Sequence, residues 1–270
     1  MLDWSCGHLG RPQREAPALD QAAGLRRLFA PSEPHWLPVV LSPEQELGNA
    51  RWLADLARAC VEQGARTLVV DAARAQVATT FGLRARYDLA HAFSGDCTPS
   101  EASVRAGINL RILPAARALE EDRRGPLRSR RFAAGVRALA VTADCVLLVL
   151  PPRHGRVLAG FGGSGGFSDA IVVAGPGSGG ERQLIETMRS LLRIADIDAF
   201  RLLFQGTSAD YAGRLFSKLA ASGVRQLSIR TSEAGSVHDA SAIRRLVRQV
   251  RCRSTPATVE RAGTALESVS

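Results

Sequence analysis

Short apolar runs alternate along this chain with longer helical stretches, and this alternation restricts the fold more than any other feature. Residues 67–70 and 145–150 are the clearest of these runs, and the second is apolar throughout. Strands that are apolar on both faces are typical of a parallel sheet with helices packed on either side. We therefore predict an α/β fold with a mostly parallel sheet flanked by helices on both faces.

The same pattern predicts where the individual elements lie. We expect strands at residues 37–41, 67–70, 110–113, 145–150, 170–174 and 201–204. We expect helices at residues 48–63, 127–141, 181–194, 210–221 and 240–250, with polar helical turns between the second strand and Ser94.

Composition shifts divide the chain into five predicted segments. Residues 1–17 are polar and contain glycine and proline, which indicates a flexible N-terminus. Residues 18–29 have the spacing of a short helix, and residues 30–36 form a linker with prolines around it. The α/β domain is predicted at residues 37–230, followed by a C-terminal helix and tail at residues 231–270.

Composition also excludes several classes of function. The longest apolar run is far shorter than the ~20 residues that span a bilayer, and no secretion signal is present, so we predict a cytoplasmic protein. The five cysteines and five histidines are scattered, which argues against a metal site. The net charge is +9, but no motif that reads bases accompanies it, so we expect no specific nucleic-acid partner.

The segment that joins the first predicted strand to the first helix has the place and length of a phosphate-binding loop. Such loops need glycines, a lysine that reaches the phosphates and a hydroxyl that binds Mg²⁺. Here only Gly48 remains of the glycines, the lysine position holds Asn49, and the hydroxyl position holds Ala50. Glu44 adds a negative charge facing a triphosphate. We therefore expect no cofactor and no ATPase activity, and ATP with Mg²⁺ would bind only if the loop still works.

Several segments, each weak alone but all in the same order, resemble the MinD/ParA family of P-loop ATPases. They are residues 67–72 with 81–83, 89–94, 109–115, 168–177 and 201–205. The resemblance implies the fold of that family. This chain departs from the family's pattern where Glu44 replaces a signature lysine, Ala73 replaces a second aspartate, and Val149 or Leu150 replaces a strand-end acid. Asp71 is retained, and we expect it to cap a helix or to accept a core hydrogen bond.

A second resemblance lies ahead of this body, at residues 20–26. The sequence Asp-Gln-Ala-Ala-Gly-Leu-Arg is similar to the N-terminal element of FlhG (FleN) proteins, which regulate flagellar number. That family implies a partner, the SRP-type GTPase FlhF, whose GTP hydrolysis this element stimulates. It also implies flagellar switch proteins or transcription activators as further partners. The alternative is a MinD/ParA-type switch that still binds ATP through an atypical loop and controls flagellar placement or transcription.

Residues 18–29 present an apolar stripe at helical spacing. About a dozen residues are too few for a stable helix alone in water, so we expect this segment to fold against a partner groove. The alternative is that it packs on its own domain. The residues expected to bind and activate the partner are Asp20, Gln21, Ala22, Leu25, Arg26, Leu28 and Phe29.

Two further patterns leave alternatives open. Residues 175–180 satisfy the glycine spacing of a dinucleotide-binding loop, with Asp196 and Asp198 near the expected distance, but the family resemblance explains them as a strand-to-helix turn. Residues 160–166 are predicted to form a flexible glycine loop.

The last predicted helix is amphipathic and basic, which suits either weak binding to an anionic membrane or packing on the sheet. The residues concerned are Ile243, Arg244, Arg245, Leu246, Val247 and Val250.

Overall fold

The computed structural model describes residues 33–41, 51–121, 126–152, 154–162, 166–175, 180–227 and 229–251. These residues form an eight-stranded sheet in the order β3-β4-β2-β5-β1-β6-β7-β8. The strands are β1 (His35–Val40), β2 (Thr67–Asp71), β3 (Val104–Gly107), β4 (Leu110–Pro114), β5 (Cys145–Leu150), β6 (Asp169–Ala174), β7 (Ala199–Phe204) and β8 (Arg230–Ser236).

Helices connect these strands, together with one 3-10 helix at Gly155–Phe161. The α-helices are α1 (Arg51–Glu62), α2 (Val77–Thr80), α3 (Leu89–Ser94), α4 (Pro99–Ala102), α5 (Ala116–Glu121), α6 (Pro126–Ala140), α7 (Gly180–Ala195), α8 (Ala209–Leu227) and α9 (Ala240–Arg251).

The sheet is parallel except for one pair at its edge. Strand β1 pairs in parallel with β5 and β6, and only β3 runs antiparallel to its neighbour β4. The central strands β1, β5, β6 and β7 are buried almost throughout, because helices cover both faces. The predicted fold class, a mostly parallel sheet flanked by helices on both faces, is confirmed.

Two hydrophobic clusters fill the space between the sheet and its helices. On one face, α6, the 3-10 helix, α7 and α8 pack around Phe132, Leu158 and Met188. On the other face, α1 and α9 pack around Leu56 and Leu246. Each central strand contributes alternate residues to the two clusters, which explains why its sequence is apolar at every position.

The order in which the chain visits the strands reverses beside β1. The connection that leaves β1 runs towards β2, whereas the connection that leaves β6 runs towards β7, and β1 and β6 are neighbours. In open α/β sheets, such a reversal opens a crevice outside the carboxyl ends of the strands. This is where the fold places a candidate site.

The C-terminal helix belongs to the core. In α9 the side chains of Ile243, Leu246, Val247 and Val250 are all buried, and they pack in the same cluster as α1. The predicted lipid-binding face is therefore corrected: its apolar side chains are covered by protein. The boundary expected after residue 230 is corrected too, because residue 230 opens β8 of the same sheet.

Two strands were not predicted from the sequence. Strands β3 and β8 form the two edges of the sheet, and their residues are mostly half-buried or exposed. An edge strand has a neighbour on one side only and needs no continuous apolar run, so its sequence carries a weak signal. The predicted glycine loop at residues 160–166 is wrong at its start, since Gly160 lies in the 3-10 helix.

Candidate functional site

A cleft of about 500 Å³ lies at the carboxyl ends of β1 and β5, beside the reversal in strand order. We call it the strand-end cleft. Three of the residues that line the cleft are Val40 at the end of β1, Pro152 after β5 and Leu191 on α7. The remaining lining residues are Gly155, Arg156, Arg182, Gln183, Glu186, Thr187 and Ser190.

The charged residues of this cleft lie at its rim. Arg182 and Glu186 are one turn apart on α7 and form an ion pair of 3.3 Å, with both side chains largely exposed. Arg156 is exposed as well. An ion pair in water contributes at most about 1 kcal/mol, so these groups are free to exchange partners.

Asp71 ends β2, and its carboxylate is used locally. The backbone N–H of Ala75 donates to Oδ1 at 2.9 Å, and the N–H of Val77 donates to Oδ2 at 3.1 Å. The loop that supplies these donors turns sharply, with Arg74 and Gln76 in the left-handed region at φ 54° and 56°. Asp71 is 6% exposed, and its predicted role as a local hydrogen-bond acceptor is confirmed.

Burial decides the protonation of this carboxyl. Removal from water raises the pKa of Asp71, and the hydrogen bonds from the backbone of its own loop lower it in part. The net direction is upward, because desolvation penalises the charged form more than these donors favour it.

The end of β5 offers only apolar side chains. Val149 and Leu150 have no exposed surface, and the chain continues into Pro151. Their carbonyls bind neighbouring strands, since Val149 accepts from the N–H of Ala72 at 3.0 Å and Leu150 accepts from the N–H of Leu41 at 2.9 Å. This strand end therefore presents no carboxylate to the cleft.

Most of the sequence-predicted site residues lie outside the described residues. These are the partner-binding residues Asp20, Gln21, Ala22, Leu25, Arg26, Leu28 and Phe29, and the loop residues Glu44, Gly48, Asn49 and Ala50. Of the predicted residues that the structure describes, Asp71 lies at the carboxyl edge of the sheet. The α9 residues lie on one face of the sheet, and helix α7, which lines the strand-end cleft, lies on the opposite face.

The dinucleotide interpretation does not fit the geometry. Gly175 follows β6 at the carboxyl edge of the sheet, whereas Asp196 and Asp198 lie between α7 and β7 at the amino edge. Asp198 is also paired with Arg230 at 2.8 Å. A ribose-binding acid must lie at the same edge as the glycine turn, so these aspartates cannot serve that loop.

Two polar groups in the structure were not predicted from the sequence. Gln183 and Thr187 are one turn apart on α7, and both line the strand-end cleft. In the sequence, the helical spacing of these two polar residues was the sign that they share one face of the helix. Arg201 and Asp169 form an ion pair of 3.3 Å inside the sheet, with side chains 5% and 1% exposed. An arginine inside the apolar run of β7 was the visible sign of this pair.

Within the described part of the chain, no group of three or more metal-ligating side chains comes together. No helix found there has both the length and the hydropathy to span a bilayer.

No protein-family model matches the sequence, and no curated protein matches it either. Solved structures do resemble its fold. The MinD cell division protein of Aquifex aeolicus, in its complex with MinC, has 17% identity and a TM-score of 0.57, with 82% of this chain and 97% of that chain covered. A cobyrinic acid a,c-diamide synthase of Mycobacterium smegmatis, with bound ADP and magnesium, has 19% identity and a TM-score of 0.60, with 82% and 96% covered.

A plasmid partition protein of Borrelia burgdorferi has 10% identity and a TM-score of 0.57, with 80% of this chain and 99% of that chain covered. Identities this low show shared architecture alone, and the predicted resemblance to MinD/ParA proteins is confirmed at that level. The described sheet, with its order reversing beside β1, therefore has the fold of MinD and of plasmid partition proteins.

Proposed function

We propose that this protein is an FlhG-like regulator that has lost ATP hydrolysis and that binds and stimulates an SRP-type GTPase resembling FlhF. The stimulating element is residues 18–29, and the α/β domain carries it. The protein acts in the cytoplasm, where such a GTPase works.

The main support for the proposed loss of hydrolysis comes from the carboxyl edge of the sheet. Phosphoryl transfer is catalysed almost wholly by positioning and charge neutralisation, so it needs carboxylates that can hold Mg²⁺ or orient water. Asp71 has both oxygens occupied by backbone donors and a raised pKa, and Val149 and Leu150 are apolar. These described strand ends support the proposed loss of hydrolysis. The missing lysine and hydroxyl of the loop, read from the sequence, agree with this.

The partner is inferred from the sequence of the N-terminal element. Gln21 is the candidate activating residue, because a glutamine carboxamide can orient an attacking water and a supplied side chain can raise a rate by orders of magnitude. Asp20 would hold Gln21 in place, and Arg26 would contact an acidic rim. Leu25, Leu28 and Phe29 would anchor the helix in an apolar groove.

GTP turnover by an FlhF-like GTPase tests this proposal. The full chain should raise the rate at least tenfold, and Gln21→Ala should remove most of that increase while leaving binding intact. Gln13→Ala, a matched change in the same N-terminal region, should have no effect. Absence of stimulation by the unaltered protein, or equal losses in both variants, would refute the proposed mechanism.

The second candidate function is an ATP-dependent switch, and the comparison with a synthase that holds ADP and magnesium favours it. In that case an atypical loop would grip the nucleotide without the usual lysine. Titration with a fluorescent ATP analogue distinguishes the two functions. Magnesium-dependent binding in the micromolar range would establish the switch. It would also refute the loss of ATP binding inferred from the residues at the strand ends. We expect no saturable binding up to about 1 mM.

A further inference from the structure

A second cleft, of about 280 Å³, lies at the opposite edge of the sheet from the strand-end cleft. It lies between the start of β2, the hairpin of β3 and β4, and the C-terminal end of α6. Arg66 precedes β2, Asn109 lies in the hairpin turn, and Leu139 and Thr142 come from the end of α6 and the turn after it. We call it the amino-edge cleft.

This cleft is strongly basic. Its lining residues include Arg66, Arg105 and Arg111 and no acidic residue. Arg66 is neutralised by Asp144, which accepts from Nη2 at 2.7 Å and from Nε at 3.0 Å. Among the described residues, no carboxylate pairs with either of the other two arginines.

Arg105 and Arg111 carry the uncompensated charge. Within the described ranges, Arg111 donates to neutral oxygens alone, those of Ser100 and Ser103. Arg105 is exposed, and its side chain forms no ion pair or hydrogen bond with the part of the chain described here. The antiparallel register sets Arg105 directly opposite Arg111. Like charges opposite each other on neighbouring strands destabilise a sheet, so an anion bound between them would relieve an unfavourable contact.

Apolar side chains border the same cleft. Ile108, at the tip of the hairpin, is 98% exposed and lines the cleft. Val141 is 69% exposed and precedes Thr142, another lining residue. These are the two most exposed large apolar residues of the described chain. Ile108 therefore adds apolar surface beside the arginines of this cleft.

The free side of β3 supplies the third component. Strand β3 pairs with β4 on one side and ends the sheet formed by the described residues, and among these no strand pairs with its other side. An extended peptide can add to such an edge, with backbone hydrogen bonds that give affinity and side-chain contacts that give specificity. None of the described residues that line the cleft is aromatic, so they offer no ring on which the bases of a single-stranded nucleic acid could stack.

We propose that the amino-edge cleft, with the free edge of β3, binds an extended acidic peptide segment of a partner protein. Carboxylates of the peptide contact Arg105 and Arg111, its backbone continues the sheet beyond β3, and an apolar side chain covers Ile108. This proposal does not depend on the function proposed for residues 18–29.

Fluorescence anisotropy tests this proposal with the full chain and a labelled heptapeptide of alternating valine and glutamate. We expect saturable binding, weakened about tenfold by Arg105→Glu and about fivefold by Ile108→Ser. Arg248→Glu makes the same charge change on the exposed face of α9 and should leave the affinity unchanged. Arg105→Glu places a carboxylate opposite Arg111, so it should not lower the melting temperature.

Two altered probes separate the components of the site. A peptide with lysine in place of glutamate should not bind, and one with alternate backbone N-methyl groups should bind at least tenfold more weakly. A single-stranded oligonucleotide that binds more tightly than the acidic peptide, and loses binding in Arg105→Glu, would assign the cleft to nucleic acid instead. Equal losses in Arg105→Glu and Arg248→Glu, or no binding of the acidic peptide up to about 1 mM, would overturn the proposal.

Discussion

At the scale of single residues, Asp71 shows how a carboxylate at a strand end can accept hydrogen bonds from the turn that follows it. Its two oxygens accept from Ala75 and Val77, so the turn after β2 is held by a buried charge. The cost of burying that charge exceeds what the donors return, which is why the pKa of Asp71 lies above its ordinary value of 3.8.

This raised pKa has a consequence for stability. A carboxyl whose pKa is higher in the folded state binds more protons there, so it stabilises the fold at low pH and loses that contribution as pH rises through the folded pKa. The Asp71→Asn variant cannot titrate. We therefore expect the wild type to lose stability relative to Asp71→Asn as pH rises above 3.8.

Urea unfolding of both proteins between pH 4 and 8 measures this difference. Asp210→Asn, which makes the same substitution on the exposed start of α8, is the matched control. A gap between wild type and Asp71→Asn that stays constant over this range would contradict the expectation.

At the scale of elements, two contacts decide how the helices lie against the sheet. The 3-10 helix approaches α6 so closely that a Cβ on Gly160 would overlap the backbone carbonyl of Ser129. The apolar face of α9, including Leu246, packs on α1. Both contacts are between elements distant in sequence, so neither could be anticipated from local pattern.

Gly160→Ala should destabilise the protein by about 1–3 kcal/mol, because a backbone atom cannot move aside as a flexible side chain can. Gly213→Ala is the control, because Gly213 lies in helix α8 and a Cβ at this position would meet no atom within 4 Å. It should leave stability unchanged or raise it by up to about 1 kcal/mol. Thermal unfolding measures both; similar effects of the two substitutions would show that the close approach is absent.

Leu246→Ala should lower the free energy of unfolding by about 2–4 kcal/mol, because it removes a buried side chain from the contact between α9 and α1. Arg248→Ala, on the exposed face of the same helix, should change it by less than about 0.5 kcal/mol. Urea titration measures the two values. A Leu246→Ala protein as stable as the wild type would mean that α9 does not pack as described.

At the scale of the whole molecule, the buried side chain of Arg201 links two strands of the sheet to the last helix. Arg201 on β7 contacts Asp169 on β6 at 3.3 Å, and it donates to Gln249 on α9 at 3.1 Å. A charge buried to this degree is tolerated only with a partner, so these contacts set the position of α9 across the strands.

Arg201→Ala should cost about 3–5 kcal/mol, since it leaves the buried carboxylate of Asp169 without its cation. Replacing both charges, with Arg201→Met and Asp169→Leu, should recover most of the loss because no unpaired charge then remains. Chemical denaturation of the two variants compares them directly. A double variant no more stable than Arg201→Ala would show that the pair contributes through its geometry rather than its charge.

Much of the fold could be predicted from the sequence, because the central strands are buried on both faces and their apolar runs are therefore continuous. The predicted strand at residues 145–150 matches β5, and the helix predicted at 240–250 differs from α9 by one residue. Strand β8 was not predicted, because it lies at the edge of the sheet and its residues are mostly polar. The local role of Asp71 was also predictable, because an aspartate after a buried strand commonly caps the following turn.

By itself the sequence determined the layered α/β architecture, since strands buried on both faces are apolar at every position and alternate along the chain with helical stretches. It also determined that the loop after the first strand lacks a lysine and a hydroxyl, which is a matter of residue identity. Only the tertiary structure decided that the apolar face of α9 is covered, that Arg201 meets Asp169, and that Arg105 faces Arg111 across a hairpin. Each of these depends on which distant segments come together, and no local pattern encodes that.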